Sequence, residues 1–399
     1  MLIRLLPPIA GFMFFIVPLF PPFITLTTVS VPGVSLVPAP VAIALLLLMA
    51  LIAVYGVILN ASVPGDEVPT LRPLLIWLGA AVLSAALGFD PLAGAVFLAI
   101  FGFGIVWHVS VLRYYAIRGF AAAIYYGFLI SGILASLAAL LMVITRMPAS
   151  QYAIGHGRAI GTFILPGELA GYLIIYLLLA FAVARTTRSP ALRTIAIAGL
   201  VCGTPAFVLT FSRAGEVGLA AAIAGFVFAQ LRRFRLRTAA AIVVAAVIAI
   251  GIVFNSHHNP SENYTRLSIW QAGLGMVQRF PFSGVGPFVF AKIYPLVRLP
   301  DGEPTAFHAH SFLLTTAAET GIMGVAAALF AWWRFVVVLR ARLRTANASN
   351  ALLASAVAAG LFGTWVQGLI DTVSVVIFGL WLPFMAVALS CAKYGLAEA

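Results

Sequence analysis

Apolar residues run along this chain in stretches long enough to cross a bilayer, which takes about twenty residues as a helix, and short polar breaks divide them. Twelve stretches can be marked: 9–26, 39–59, 73–87, 91–109, 119–144, 165–184, 194–211, 214–231, 238–254, 312–339, 351–369 and 372–392. Only Gly88 to Pro91 separates the third from the fourth. The pattern predicts an all-α polytopic membrane protein of about 12 transmembrane helices, with residues 1–399 forming one integral membrane domain. One break is of a different kind. Residues 255–311, between spans nine and ten, form the longest polar stretch and hold four of the six His residues with Arg266, Arg279, Lys292 and Arg298. Chemistry in lipid-embedded chains gathers where polar residues interrupt the hydrocarbon pattern, so this loop is the expected functional element.

Within the loop, residues 265–277 predict an amphipathic helix capped by Thr265, with Leu267, Trp270, Leu274 and Val277 on one face. Arg279-Phe280-Pro281 stops it. Such a helix could lie on the bilayer surface or roof a cavity. Arg266, in its first turn, would join the helix N-terminus in offering positive charge to an anion, and a diphosphate suits that geometry; a solvated surface arginine is the competing reading. Gly284-Val285-Gly286 reads as a tight turn and lacks the strand and Lys-Ser/Thr of a phosphate-binding P-loop. Pro300-Asp301-Gly302-Glu303-Pro304 is turn chemistry more than a paired-acid cation site, so no metal is expected. His257 and His258 read as exposed. His308 and His310 stand just before span ten, where an imidazole could act as general base or serve structure. Glu319 lies about 13 Å further along that helix at 1.5 Å per residue. It reads as too distant to touch His310 and, beside Gly321 and Gly324, as a packing or internal polar contact.

Composition agrees with the hydropathy pattern: 63% of residues are hydrophobic, 9% are charged and mean hydropathy is +1.11. A net charge of +12 would suggest nucleic acid in a soluble protein; here it follows from arginines that fix orientation. Of 23 basic residues, seven (Arg146, Arg158, Arg213, Arg266, Arg279, Lys292 and Arg298) fall in alternate connections on one side, and the rest on the other. The positive-inside rule puts both termini in the cytoplasm and the large loop outside. Trp332 and Trp333 beside Arg334 fit an inner interfacial belt. The outward basic residues oppose the insertion rule, so another role is implied for them. Arg213 sits in the short turn Thr210-Phe211-Ser212-Arg213-Ala214-Gly215, where an anionic partner would offset its cost; a snorkelling arginine at a helix end is the alternative. Cys202 and Cys391 both lie in apolar runs and suggest neither a disulfide nor a metal site.

Several short motifs, in order, resemble the O-antigen ligase and O-antigen polymerase superfamily of bacterial envelope glycosyltransferases. They are Arg158-Ala159-Ile160-Gly161-Thr162-Phe163, Thr210 to Gly215, Arg266 with Trp270, Pro281 with Gly284-Val285-Gly286, and His310-Ser311-Phe312-Leu313 followed by Glu319-Thr320-Gly321-Ile322-Met323-Gly324. One departure stands out: where the family commonly has Pro-Asn, this chain has Pro166-Gly167-Glu168, so Glu168 is a candidate to take over or change that role. The resemblance implies a metal-independent, cofactor-free inverting transfer by a GT-C-like enzyme at the periplasmic face of the inner membrane. The implied donor is a glycan on undecaprenyl diphosphate and the implied acceptor, for a ligase, is the lipid A core; no nucleic acid is involved. On that carry-over Arg266 and Arg213 hold the diphosphate, with Arg158 a further candidate. His310 takes the proton, His308 is the second choice for base, and Glu168 and Trp270 line the substrate. A polymerase using the same donor is the nearest alternative. A transporter or flippase of lipid-linked sugars is the alternative of another class, and would call for ionisable residues in mid-span.

Overall fold

The computed structural model describes residues 4, 6–19, 68–163, 165–230, 260–371 and 376–396. Among these every regular element is helical: α1 Leu6–Leu19, α2 Leu71–Leu87, α3 Pro91–Tyr114, α4 Phe120–Thr145, α5 Ala149–Ile154, α6 Pro166–Thr186, α7 Pro190–Val208, α8 Arg213–Ala229, α9 Pro260–Arg279, α10 Phe290–Val297, α11 Phe312–Thr345, α12 Ala348–Ile370 and α13 Val376–Tyr394. Six of the described helices (α3, α4, α6, α7, α11 and α12) are long and apolar enough to cross a membrane. The spans expected at 39–59 and 238–254 lie outside the described residues, as do His257 and His258. The narrow boundary between the third and fourth expected spans exists: α2 ends at Leu87, and Asp90 caps α3 by accepting from the Leu92 and Ala93 N–H groups, each at 3.1 Å.

Helix α6 is the centre of the bundle; 83% of its apolar window is buried, against 33% for α7. Bilayer lipid is as apolar as leucine, so close fit and internal hydrogen bonds hold such helices together. Tyr176 on α6 illustrates both. Its ring lies in a slot where a Cβ at Gly132 would collide with the ring and one at Gly199 with the hydroxyl. That hydroxyl donates to the Leu129 carbonyl at 2.9 Å. Gly132→Ala is therefore expected to lower the thermal midpoint of the purified protein in detergent, read by tryptophan fluorescence, with overpacking of this kind costing about 1–3 kcal/mol. On the flank of α6, α8 and α12 cross with Gly218 against the Gly363 carbonyl. In mid-bundle His108 of α3 is fully buried with both ring nitrogens occupied: Nε2 at 2.6 Å from Thr70 Oγ1 and Nδ1 at 2.6 Å from the Leu382 carbonyl of α13. Of the expected tryptophan pair only Trp333 is exposed, with the Arg334 guanidinium 5.7 Å from its centroid; Trp332 turns inward onto Phe335 and Trp381.

The loop forms its own small core from Ile269, Ala272, Met276, Val285, Val289, Phe290, Tyr294, Ala306, Ala309 and Ala318. This corrects the expected amphipathic helix in two respects. Helix α9 begins at Pro260, so Thr265 lies inside it and Arg266 sits in its second turn, away from the N-terminus; proline suits a first helical position. The face turned to the core is Ile269, Ala272 and Met276, whereas Leu267 and Leu274 are exposed and Trp270 and Val277 are half-buried. Its stop at Arg279 is as expected. The Asp301–Glu303 stretch is a turn: Gly302 N–H donates to Leu299 O at 3.0 Å, and Arg298 donates to Gly302 O at 3.2 Å.

Candidate functional site

Polar groups from four separate parts of the chain meet at one end of the bundle, around Asp371, the residue that caps the C-terminus of α12. His310 arrives on the last residues of the loop, and its Nδ1 lies 3.0 Å from Asp371 Oδ1. Arg266 arrives on α9, and its guanidinium nitrogen lies 3.6 Å from Asp371 Oδ2. Between them, Asp371 is mostly enclosed while Arg266 and His310 keep part of their surface open. The third approach is the N-terminus of α6. A Cβ at Gly167 would stand 2.8 Å from Asp371 Oδ2, and the Gly167 carbonyl accepts from Gln367 Nε2, one turn back on α12, at 2.6 Å. The fourth is the turn before α8, where Ser212 Oγ lies 3.8 Å from the same Gly167 Cβ position and caps α8 by accepting from Gly215 N–H at 3.1 Å.

Local backbone conformation aims these groups. His310 has φ +47° and Phe211, two residues before Arg213, has φ +43°, a region that costs a non-glycine residue about 1–3 kcal/mol and recurs at functional sites. The His310 turn is held by two contacts: its own N–H donates to His308 Nδ1 at 3.2 Å, and Ala309 N–H donates to Thr315 Oγ1 at 3.1 Å.

Charge organises the cluster. Burial alone would raise the Asp371 carboxyl, but the hydrogen bond from His310 and then the charge of Arg266 outweigh it and hold the group below its ordinary value. A depressed carboxyl contributes stability above its unfolded value of about 3.9 and loses it only as pH falls through the lower folded value, so Asp371 stays ionised across the neutral range. His308 is different. Burial first, and then the neighbouring His310, push its imidazole down to about 3, so it is neutral at pH 7, and its Nδ1 is already occupied. That makes it a weak base and favours a structural part for the second-choice residue.

An ionised Asp371 on Nδ1 assigns the hydrogen to that nitrogen, so in the neutral imidazole Nε2 is the nitrogen that carries the lone pair. Asp371→Asn keeps the shape but removes the charge that holds this tautomer. It is expected to lower turnover by about 10²-fold, the lower end of what a positioned general base supplies, with little change in the thermal midpoint.

The other expected site residues are placed as follows. Arg213 is the first residue of α8, half-buried beside Ser212. Arg158 donates through Nε to Gly155 O at 3.2 Å, and its loop reaches the Arg213 turn through Ala159 N–H to Leu209 O at 2.8 Å. Trp270 is one turn beyond Arg266 on α9, with its indole N–H buried and unpaired. Glu168 is buried in the first turn of α6, but the position bordering Asp371 is Gly167, whose missing side chain leaves room for that carboxylate. Gly167→Ala should displace Asp371 from His310 and Arg266, read as a lower thermal midpoint of the purified protein.

Asp371 and Gln367 belong to no motif in the sequence. The available signal was a lone acid between two apolar runs, in Gly368-Leu369-Ile370-Asp371-Thr372.

The helices and this cluster define a multi-pass membrane protein with a charged site at one end of its bundle. Residues 198–329 match the family described as O-antigen ligase (Wzy_C), which supports the O-antigen ligase and polymerase superfamily for this chain and a glycosyltransferase-like enzyme of polysaccharide processing. The matched stretch contains Arg213, Arg266, Trp270, His308 and His310, whereas Arg158, Glu168 and Asp371 lie outside it. No curated protein matches the chain.

Proposed function

We propose that the protein is an O-antigen ligase of the inner membrane, moving a glycan from undecaprenyl diphosphate to a sugar hydroxyl of the lipid A core at the periplasmic face, without a metal. The convergence of Arg266 and His310 on Asp371 carries this reading. An acceptor hydroxyl is a weak nucleophile and needs a base; His310 Nε2 takes its proton as the acceptor oxygen bonds to the anomeric carbon. The bond from that carbon to the diphosphate oxygen breaks from the opposite face, which inverts the centre. The electron pair leaves on the diphosphate, where Arg266 and, from the α8 turn, Arg213 offset the growing negative charge. Asp371 balances the imidazolium formed on His310 and aligns Arg266 in the resting enzyme.

The deciding experiment gives purified protein in vesicles both a lipid-linked polymer and core-lipid A. Transfer to the core is expected. Transfer only to a second lipid-linked repeat unit would establish the polymerase instead. Activity should persist in strong chelator, and its loss there, restored by a divalent cation, would bring Asp301 and Glu303 back as ligands.

A further inference from the structure

Glu319 is an acid buried at a break in α11, where Gly321 has φ +63° and ψ −168°, outside the helical range. Glu319 Oε1 accepts from Phe290 N–H at 3.3 Å, and the Phe288 N–H also faces the carboxyl group. Phe290 is the first residue of α10, and the capping position before it is Val289, which has no side-chain acceptor to offer. Phe288 has φ +60°, so the segment entering α10 is a backbone that needs external holding. Glu319 thus supplies the cap that α10 lacks in its own sequence.

The main chain around Glu319 continues the seam. Glu319 O accepts from Gly286 N–H at 2.9 Å and Ala318 O from Val285 N–H at 2.9 Å, while Ile322 N–H donates to Pro281 O at 2.9 Å. Ser84 Oγ on α2 is shared between Glu319 O at 2.8 Å and Ser283 O at 2.6 Å. Contact is close enough that a Cβ at Gly284 would strike the Glu319 carbonyl, and one at Gly321 the Phe282 carbonyl; both glycines also have positive φ. The turn is therefore stitched into the break of α11. Above the seam lies the loop core, which joins α9 through Ile269 and Met276, α10 through Phe290, and the His310 approach through Ala309.

We propose that Glu319 is a positioning residue: by capping α10 it locks residues 281–297 into the break of α11, and the loop core transmits that placement to Arg266 and His310. The proposal deepens the transfer reaction above and rests on it for its kinetic arm, while its structural arm is independent of catalysis. Glutamine at 319 keeps an acceptor oxygen for Phe290 and Phe288; alanine removes it.

The test compares wild type, Glu319→Gln and Glu319→Ala in nanodiscs by hydrogen–deuterium exchange over residues 285–297 and by transfer kinetics. In Glu319→Ala, exchange should accelerate at least tenfold and kcat should fall about tenfold or more, with KM for the donor changing less than kcat. Glu319→Gln should match wild type in exchange, kcat and pH profile. Ser84→Ala loosens the same seam and should give smaller changes of the same kind, so it serves if Glu319→Ala does not insert. Wild-type exchange in both Glu319→Ala and Ser84→Ala would overturn the pin, whether or not the wild type transfers glycan. Faster exchange with unchanged kcat would overturn its positioning role. A Glu319→Gln variant as slow as Glu319→Ala, with a shifted pH profile, would overturn it in favour of a charge or proton-transfer role.

Discussion

Replacing His310 by alanine is expected to lower glycan transfer about 10³-fold, within the range that a positioned general base contributes. The expectation rests on three features together. His310 is partly open, so an acceptor hydroxyl can reach it, and Asp371 occupies Nδ1 at 3.0 Å, which leaves Nε2 as the free base. Its neighbour His308 cannot substitute well, because burial and the adjacent ring hold that imidazole at about 3. The loss should appear in kcat, with donor binding kept, since the arginines are untouched. The thermal midpoint should fall modestly, because alanine suits the left-handed backbone at residue 310 no better than histidine and leaves the Asp371 carboxylate without its partner at 3.0 Å. Near-normal transfer by His310→Ala in correctly inserted protein would remove it as base and leave charge stabilisation as the main source of rate.

Arg266→Ala should cost about 10²- to 10³-fold, comparable with removing one preorganised donor to a developing oxyanion. Arg266 lies 3.6 Å from Asp371 in the resting site, a loose ion pair that a diphosphate can compete for. Its two faces matter: a guanidinium can hold Asp371 on one edge while offering its other N–H groups to phosphate. Lysine has no such fork, so Arg266→Lys should recover only a minor part of the activity. Both variants should raise donor KM as well as lower kcat, in contrast to His310→Ala. A pure kcat effect in Arg266→Ala, with donor affinity intact, would place the diphosphate on Arg213 instead.

Much of the frame was legible because lipid imposes a simple rule. Twenty apolar residues in a row announce a span, and the stops at Gly88–Pro91 and at Arg279-Phe280-Pro281 are readable from local glycine and proline chemistry. Arg266 and His310 are conspicuous for the same reason, as costly polar residues near the ends of the longest polar break. The orientation of α9 was not legible. Leu267 and Leu274 suggest a buried face by spacing, yet Ile269, Ala272 and Met276 bury instead, because the partners that choose a face come from residues 285–318. In a chain this apolar, hydrophobic period does not separate a face turned to protein from one turned to lipid. Asp371 was hidden by distance: its partners lie 61 residues away at His310 and on a different helix at Arg266. In the substituted Pro166-Gly167-Glu168 motif the charged residue is the conspicuous one, whereas it is the glycine that borders Asp371, and its value is the space it leaves.

In the proposed mechanism Asp371 works through His310 as one catalytic unit. A double-mutant cycle on kcat, with His310→Ala, Asp371→Asn and the pair in reconstituted vesicles, tests it most directly. Coupled residues are strongly non-additive. If the claim holds, Asp371→Asn costs about 10²-fold in the presence of His310 and no more than about twofold once His310 is gone. Equal losses in both backgrounds would mean that the two act independently, and would contradict the site proposed for this protein.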